Sequence, residues 1–159
     1  MWQVRRSAAL VAEGARGSKK ALPFIEDAVV PPERFPEYVN YLYQIMQREG
    51  LEFSVWGHAG QGNIHIQPFL DITDPNDRER LFRISDEVYQ IVANFGGALS
   101  GEHNDGLMRT PYLEKIYPPR LIQALKDVKK IFDPLNIFNP GKKVGLNLEY
   151  LKAHLRDEY

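Results

Sequence analysis

Three of the four histidines in this chain lie among glycines, in two short stretches. His58 and His65 are the ends of the sequence HAGQGNIH, and His103 follows Glu102 in the sequence SGEH at residues 100–103. Imidazole and carboxylate side chains bind divalent metals and transfer protons near neutral pH. Glycines beside them let a ligand approach the backbone and permit the positive φ angles that ligand-bearing turns often need. These two stretches are the candidate chemical centre.

The segment that contains His58 and His65 predicts a β-hairpin, because short apolar segments flank its glycine-rich turn. If Ala59 pairs with Ile64, the side chains of His58 and His65 face each other with Cβ atoms about 5 Å apart, and Gln67 lies on the same face. Two imidazoles placed in this way can bind one divalent metal. A plain hairpin without a metal is the alternative.

Glu102 is the candidate for a third ligand. A carboxylate from another part of the chain would complete a set of two histidines and one carboxylate with open coordination positions. Alternatively, residues 100–103 form a helix N-terminus, with Ser100 as its cap and Glu102 in the first turn. In an ideal ferredoxin-like sheet, the last strand starts at the turn end of the hairpin and runs away from it. Glu102 therefore reaches His65 only if that strand is very short.

The elements that would position these residues follow the order β-α-β-β-α-β, the split βαβ pattern of ferredoxin-like domains. We therefore expect an α+β fold with an antiparallel ferredoxin-like sheet, helices on one face and a C-terminal helical appendix. The chain is predicted to be a single domain, 1–159, with its core at about 24–100 and the appendix at about 101–159. The apolar spacing and the glycine and proline positions predict a weak helix at 2–14, strands at 24–30, 51–56, 64–70 and 98–100, helices that begin near Phe35 and Pro75 and end before Gly50 and Gly96, and an appendix helix at 111–131.

Composition excludes several classes of protein. The 159 residues include 20 basic and 21 acidic side chains, interspersed to a net charge of -1, so no electrostatic footprint for nucleic acid is present. The absence of cysteine excludes disulfides, thiolate zinc sites and iron–sulfur ligation within the chain. Residues 1–17 are too polar for a signal sequence or a membrane span. We expect a soluble, cytoplasmic protein that reaches a membrane only through a partner.

Three motifs resemble, in the order in which they occur, the signatures of the FAD-linked oxidase C-terminal domain. They are GHAGxGNxH at 57–65, GGALSGEH at 96–103 and FDPxNxxNPGK at 132–142. The stretches WxVR at 2–5 and EDxxVP at 26–31 are similar to the same family, so the resemblance spans nearly the whole chain. This is the family of D-lactate, glycolate and D-2-hydroxyglutarate dehydrogenases.

The resemblance implies a divalent metal, zinc or manganese, held by His58, His65 and Glu102. It also implies that His103 is the base that takes the proton of the substrate hydroxyl. The implied reaction moves a hydride from C2 of a 2-hydroxy acid to FAD. That transfer needs a deprotonated hydroxyl, and a bound metal lowers the pKa of the hydroxyl and fixes the substrate carboxylate.

Three further residues match family positions that contact substrate or cofactor. Arg5 matches the position that pairs with the substrate carboxylate, for which its planar guanidinium is suited; a surface arginine at a helix start is the alternative. Gln67 occupies the position of a polar substrate contact. Asn139, at a position near the flavin edge in relatives, is a cofactor-binding candidate or a simple turn residue.

The sequence departs from the family pattern at three positions. Gln61 replaces the usual Asp of the glycine turn, Asn104 replaces the usual Gly after Glu-His, and Ile25 stands where the family has a substrate-binding Lys. Neither Gln61 nor Asn104 is an expected metal ligand, so the metal site is retained, although a lost carboxylate would change its surroundings. Which 2-hydroxy acid is bound does not follow from the resemblance.

The chain contains no flavin fingerprint and has no room for the family's FAD-binding domain. We therefore expect a separate FAD-binding domain or subunit as partner, and no dehydrogenase activity from this chain alone. The sequences at 67–71 and 102–106 are closest to large members with an iron–sulfur domain, which implies an iron–sulfur electron-transfer partner. The sheet face toward the flavin should be exposed and favour homo-oligomers.

Two other classes of function fit the same residues. One is a non-catalytic association module whose histidines are structural or bind metal without turnover. The other is a metal-dependent hydrolase that uses His58, His65 and Glu102 with His103 as its base, and that needs no flavin.

Overall fold

The computed structural model describes Gln3 and residues 17–157. Arg5 and, apart from Gln3, the predicted helix at 2–14 lie outside the described residues. Within the described part, the strands are β1 (Lys20–Ala21), β2 (Phe53–His58) and β3 (Asn63–Leu70), and the α-helices are α1 (Phe35–Glu49), α2 (Pro75–Asn94), α3 (Gly106–Arg109), α4 (Pro119–Phe132) and α5 (Leu148–His154). Short 3-10 helices lie at Pro32–Arg34, Ala59–Gln61 and Thr110–Lys115.

The predicted helix that begins at Phe35 is α1. Its apolar residues Tyr38, Leu42 and Met46 recur every four positions and are buried, so one face of the helix packs on the core. The helix ends at Gly50, whose φ of 63° is left-handed and would be strained with a side chain. Both predicted ends are confirmed.

The second predicted helix is α2, and local chemistry sets both of its ends. The Asp74 side chain accepts a hydrogen bond from the backbone N–H of Asn76 at 2.9 Å and caps the N-terminus. Pro75 is tolerated in the first turn, because a backbone N–H there has no partner within the helix. Gly96, with a φ of 68°, follows the last turn. The residues of α2 that are buried are Asp77, Leu81, Ile84, Ser85, Val88, Tyr89 and Val92.

The central strand of the sheet is β3, in the antiparallel order β1-β3-β2. Ile64, Ile66 and Leu70 belong to the core cluster that also contains the buried residues of α1 and α2. Because side chains alternate along a strand, His65 and Gln67 lie on the opposite face. The helices therefore cover one face of β3 and leave the other face for the candidate site.

The register of the β2–β3 hairpin differs from the prediction. His58 pairs with Asn63, and Trp56 pairs with His65, whereas we expected His58 to face His65. The reason is that Ala59 belongs to the 3-10 turn, which Gly62 closes by donating its backbone N–H to the Ala59 carbonyl at 3.0 Å. His58 and His65 are consequently diagonal neighbours on the same face, with ring centroids 5.8 Å apart.

The predicted strands at 24–30 and 98–100 were wrong as continuous strands. Within the described residues, this part of the ladder consists of isolated antiparallel bridges from Val29 to β3 and to Ala98. The chain cannot run straight through 24–30 because Asp27 adopts a φ of 77°, which turns the backbone. The antiparallel α+β fold is confirmed, and the ferredoxin-like sheet is confirmed only in part.

The C-terminal appendix is helical, but its predicted helix at 111–131 is divided. The first part is the 3-10 helix Thr110–Lys115, and α4 begins directly after Pro118. None of the residues of α4 is buried. No helix in the described part of the chain has the length and apolar character needed to cross a membrane.

Large apolar side chains are exposed mainly on α4 and on the turn that follows it. Val55 and Trp56 on β2 are exposed as well, at 40% and 37%, but several side chains near the end of α4 exceed 60%. The exposed apolar residues of α4 and its turn are Leu121, Leu125, Val128, Ile131, Phe132, Leu135, Ile137 and Phe138. We call this set the α4 surface.

Candidate functional site

The three predicted metal ligands meet at one point. Glu102 Oε1 lies 3.2 Å from His58 Nε2 and 3.1 Å from His65 Nε2. The predicted base is adjacent, since His103 Nε2 lies 3.6 Å from the same oxygen. His65 is buried, whereas the side chains of the other three residues are 37% to 50% exposed. The cluster is therefore anchored in the sheet and open to solvent on one side.

The two contacts that Glu102 makes with the histidines fit the spacing of ligand atoms around a divalent metal. Metal–ligand bonds of about 2.0–2.2 Å separated by angles of about 90–110° hold neighbouring ligand atoms about 2.9–3.5 Å apart. The contacts from Glu102 Oε1 to the two Nε2 atoms, at 3.2 and 3.1 Å, lie in that range. Two neutral imidazoles and one carboxylate are also a ligand set that leaves positions free for other ligands.

A second grouping of ligand atoms shares His65 and Glu102 with the first but does not include His58. Asp27, His65, Glu102 and His103 each offer one atom within 4.8 Å of the others. The Asp27 carboxylate is fully buried and already accepts hydrogen bonds from the Ser100 hydroxyl at 2.5 Å and from the backbone N–H of His103 at 2.8 Å. A metal would have to displace these donors, so Asp27 fits an anchoring role better than a ligand role.

Asp27 anchors the loop that carries Glu102 and His103. Besides the Ser100 hydroxyl and the N–H of His103, the backbone N–H of Glu102 donates to it at 3.2 Å. Burial raises the pKa of Asp27, but these hydrogen bonds outweigh burial and bring the pKa below its ordinary value. The alternative of a helix N-terminus at 100–103 is wrong, because these N–H groups converge on Asp27 and the next helix begins at Gly106.

Glu26 is a residue of the site that the sequence did not reveal. Its Oε2 atom lies 2.9 Å from His65 Nδ1 and 3.0 Å from His103 Nδ1. Arg109 forms an ion pair with its Oε1 atom and donates to its backbone carbonyl at 2.7 Å. The only signal for Glu26 was the EDxxVP stretch, to which we had assigned no role. No sequence signal pointed to Arg109, which is 83 positions away.

The electrostatics of the cluster follow from these contacts. Burial raises the pKa of Glu26, but hydrogen bonds from His65 and His103 and the charge of Arg109 outweigh it, so the pKa lies below its ordinary value. The hydrogen bond to Glu26 raises the pKa of His65, and burial of the ring only partly opposes this effect. Glu26 is therefore an ionised acceptor behind both imidazoles.

Gln67 lies on the same face of β3 as His65 and is 6% exposed. Its side-chain oxygen has no hydrogen-bond partner among the described residues. A buried acceptor without a partner is costly in a folded protein. Gln67, the predicted substrate contact, therefore has a side-chain oxygen on the site face of the sheet without a described hydrogen-bond donor.

Asn139, one of the two other predicted contact residues, does not join the cluster. Asn139 is exposed in the turn after α4, with a left-handed φ of 47°, and its carbonyl accepts a hydrogen bond from the backbone N–H of Lys142 at 3.2 Å. No contact between Asn139 and the histidine cluster occurs in residues 17–157. Arg5 lies outside the described residues.

Comparison with known proteins assigns the family. The profile of the FAD linked oxidases, C-terminal domain, matches residues 1–143. The chain is 36% identical over 142 residues to a D-2-hydroxyglutarate dehydrogenase of Haemophilus influenzae, covering 89% of this chain and 14% of that protein. It is 35% identical over 140 residues to the glycolate oxidase subunit GlcD of Bacillus subtilis, covering 88% and 29%, and 32% identical over 128 residues to a D-lactate dehydrogenase of Archaeoglobus fulgidus, covering 80% and 28%.

The chain belongs to the family of FAD-linked oxidases and corresponds to their C-terminal domain. It spans less than a third of the length of the curated relatives named above. The rest of each of those proteins lies outside the aligned region.

Proposed function

We propose that this chain is the substrate- and metal-binding C-terminal part of a flavin-dependent 2-hydroxy-acid dehydrogenase. FAD would be bound mainly by a separate domain or subunit. The observation that carries the proposal is the meeting of His58, His65 and Glu102 at one oxygen atom, with contacts of 3.2 and 3.1 Å, beside His103. The names of the relatives support 2-hydroxy acids as the substrate class, because D-2-hydroxyglutarate, glycolate and D-lactate share that group.

The metal ligands in this proposal are His58, His65 and Glu102, and the metal is zinc or manganese. Nitrogen and carboxylate donors suit both ions. When bound, the metal would hold the substrate hydroxyl and carboxylate and lower the pKa of the hydroxyl. The partly exposed side chains of His58 and Glu102 form the open side of the cluster, from which a substrate would approach.

His103 is the proposed base. Its Nδ1 atom faces Glu26 at 3.0 Å, so its Nε2 atom is free to accept the proton of the substrate hydroxyl. FAD held by the partner would supply the hydride acceptor for C2, so that removal of the hydroxyl proton by His103 would leave a 2-oxo acid as the product. The ring is half exposed, which allows the proton to pass on to solvent afterwards.

The proposed substrate contacts are Gln67 and Arg5. The unpartnered oxygen of Gln67 supports this role, because a polar group of a bound acid would satisfy it. Arg5 would pair with a substrate carboxylate, and the family match is its support. Asn139 remains a proposed contact to the FAD held by the partner, and an iron–sulfur partner remains a proposed electron acceptor.

The experiment is a titration of the manganese-loaded chain with D-lactate, D-2-hydroxyglutarate and 3-hydroxybutyrate, followed by isothermal calorimetry and by the manganese spin-resonance signal. We expect the 2-hydroxy acids to bind and perturb the metal signal, and the 3-hydroxy acid to do neither, because only the former offer a five-membered chelate. Equal behaviour of all three acids would contradict the proposal. Flavin-independent turnover of ester or phosphoester substrates by the same sample would instead identify a hydrolase.

A further inference from the structure

The Glu26 carboxylate lies between two imidazoles of the site. Its Oε2 atom is 2.9 Å from His65 Nδ1 and 3.0 Å from His103 Nδ1. The Nε2 atoms of the same rings lie 3.1 Å and 3.6 Å from Glu102 Oε1. Each ring therefore has one nitrogen toward Glu26 and the other toward Glu102.

The charge of Glu26 fixes the hydrogen on each ring. An ionised carboxylate can only accept hydrogen bonds, so both Nδ1 atoms must carry a hydrogen to bond to it. A neutral imidazole with hydrogen on Nδ1 has its lone pair on Nε2. Arg109 maintains the charge of Glu26, because its guanidinium is ion-paired with Oε1 in a place where both side chains are 7% exposed.

The two rings are also held parallel. Their centroids are 5.0 Å apart and their planes differ by 17°, so the Nε2 atoms of His65 and His103 are directed to the same side. A hydrogen bond on the remote nitrogen is the usual way in which proteins set the orientation of a ligand imidazole. Here Glu26 accepts from the remote nitrogen of both rings. The proposed function makes one of these rings, His65, a metal ligand and the other, His103, the base.

We propose that Glu26 is a positioning residue shared by His65 and His103, which fixes both rings with hydrogen on Nδ1 and directs both Nε2 lone pairs to one point beside Glu102. The assignment of His65 as ligand and His103 as base rests on the proposed function. For His65, Glu102 Oε1 is a competing acceptor at 3.1 Å from Nε2. Glu26 is the nearer acceptor, at 2.9 Å, and is buried, whereas Glu102 is 49% exposed and can be solvated by water. Replacement of Glu26 by an amide should consequently disturb at least one of the two rings, because the amide cannot accept from both rings and pair with Arg109 as the carboxylate does.

Nitrogen NMR of the metal-free protein tests the proposal directly. The ring ¹⁵N shifts, recorded at a pH where both rings are neutral, distinguish hydrogen on Nδ1 from hydrogen on Nε2. We expect hydrogen on Nδ1 for His65 and His103 in the wild type. In Glu26→Gln at least one ring should change, because an amide has one acceptor oxygen and its nitrogen donates toward a ring or Arg109. Zinc affinity of this variant should fall about 10–100-fold.

Glu49→Gln is the matched control. The Glu49 side chain is also 7% exposed and also ion-paired with arginines, but between α1 and α2. We expect it to leave the ring shifts and the zinc affinity unchanged. This control separates the loss of any buried ion pair from the loss of ring positioning.

The outcomes distinguish this proposal from the proposed function. Hydrogen on Nε2 of either ring in the wild type would overturn it without any variant, and so would a folded Glu26→Gln protein with unchanged shifts and zinc affinity. Hydrogen on Nδ1 of both rings in a wild type that binds no zinc would support the positioning role and count against the proposed function.

Discussion

Glu102 Oε1 lies nearly equidistant from His58 Nε2 and His65 Nε2, at 3.2 and 3.1 Å. The two histidines belong to one hairpin, whereas Glu102 comes from a loop that Asp27 holds in place through hydrogen bonds to its backbone. A carboxylate brought between two imidazoles from a remote segment is the arrangement that a shared cation stabilises. The predictions below test this arrangement and the residues that build it.

Glu102→Gln should lower zinc affinity by about 100-fold or more, because an amide is a weaker ligand without charge and a lost ligand costs more than the 10–100-fold typical of outer contacts. Competition with a chromophoric chelator measures the affinity. The side chain is 49% exposed, so the free energy of unfolding should change little. Glu79→Gln, at an exposed position of α2, is the control, and equal affinities of the two variants would rule out Glu102 as a ligand.

Asp27→Asn should destabilise the protein by about 2–3 kcal/mol, because the amide places a donor among the hydroxyl and N–H groups that a buried carboxylate now accepts. Urea unfolding measures the effect. Asp127→Asn, at an exposed position where the side chain accepts from Gln123 at 2.8 Å, should cost far less. A difference between the two variants of less than the experimental error would show that Asp27 does not anchor the loop at 100–103.

Gln67→Leu should leave the free energy of unfolding unchanged or raise it, since it removes a buried oxygen without a described partner. The same variant should weaken binding of 2-hydroxy acids to the metal-loaded protein by about 10-fold or more, because a lost hydrogen bond to a charged ligand costs about 1.5–3 kcal/mol. Urea unfolding and calorimetry on the same sample measure both properties. A large loss of stability with unchanged ligand binding would make Gln67 a structural residue.

The α4 surface should govern self-association of the isolated chain. Ile131 is 73% exposed, so Ile131→Glu should weaken association without loss of stability. Trp56→Glu places the same charge on the site face of β2, where Trp56 pairs with His65 and is 37% exposed, and tests that sheet face in the same way. Sedimentation velocity of both variants at matched concentrations shows which face associates. A wild type that is monomeric at every concentration would contradict association through either face.

Acid pH should weaken the connection between α1 and α2. The hydrogen bond from Arg83 lowers the pKa of Glu49 below 4.5, although burial partly opposes it. A carboxyl with a lowered pKa in the folded state contributes stability above its unfolded pKa, and that contribution is lost as the pH falls through the folded value. The unfolding free energy of Glu49→Gln should therefore approach that of the wild type as the pH falls below 4.5. An undiminished gap between the two proteins at low pH would contradict this assignment.

Local patterns were sufficient to predict α1, α2 and the histidines of the hairpin, but not the division of the helix predicted at 111–131. The spacing of Tyr38, Leu42 and Met46 and the cap at Asp74 act over one or two helical turns, so the sequence alone reveals them. The hairpin register depends on whether Ala59 joins the turn or the ladder, and this choice follows from the left-handed conformation of Gly62. Spacing could not distinguish the two possibilities.

Glu26 and Asp27 were missed for a different reason. They stand in the apolar sequence Phe24–Val30, which has the composition of a strand, and their partners are 36 to 83 positions away. A turn with positive φ at Asp27 replaces the strand because its carboxylate gains the donors of the loop at 100–103. Such a gain exists only in the folded protein, so propensity and periodicity do not report it.

The central claim is that His58, His65 and Glu102 bind one divalent metal, and metal stoichiometry tests it most directly. Zinc should be measured by mass spectrometry in the wild type, in His58→Ala and in His154→Ala after equilibration with limiting zinc and removal of the free ion. His154 is exposed on α5 and stacks on Tyr150, so it is a matched histidine outside the cluster. We predict one zinc per chain in the wild type and in His154→Ala, and a large loss in His58→Ala. Equal, negligible zinc in all three proteins would contradict the claim.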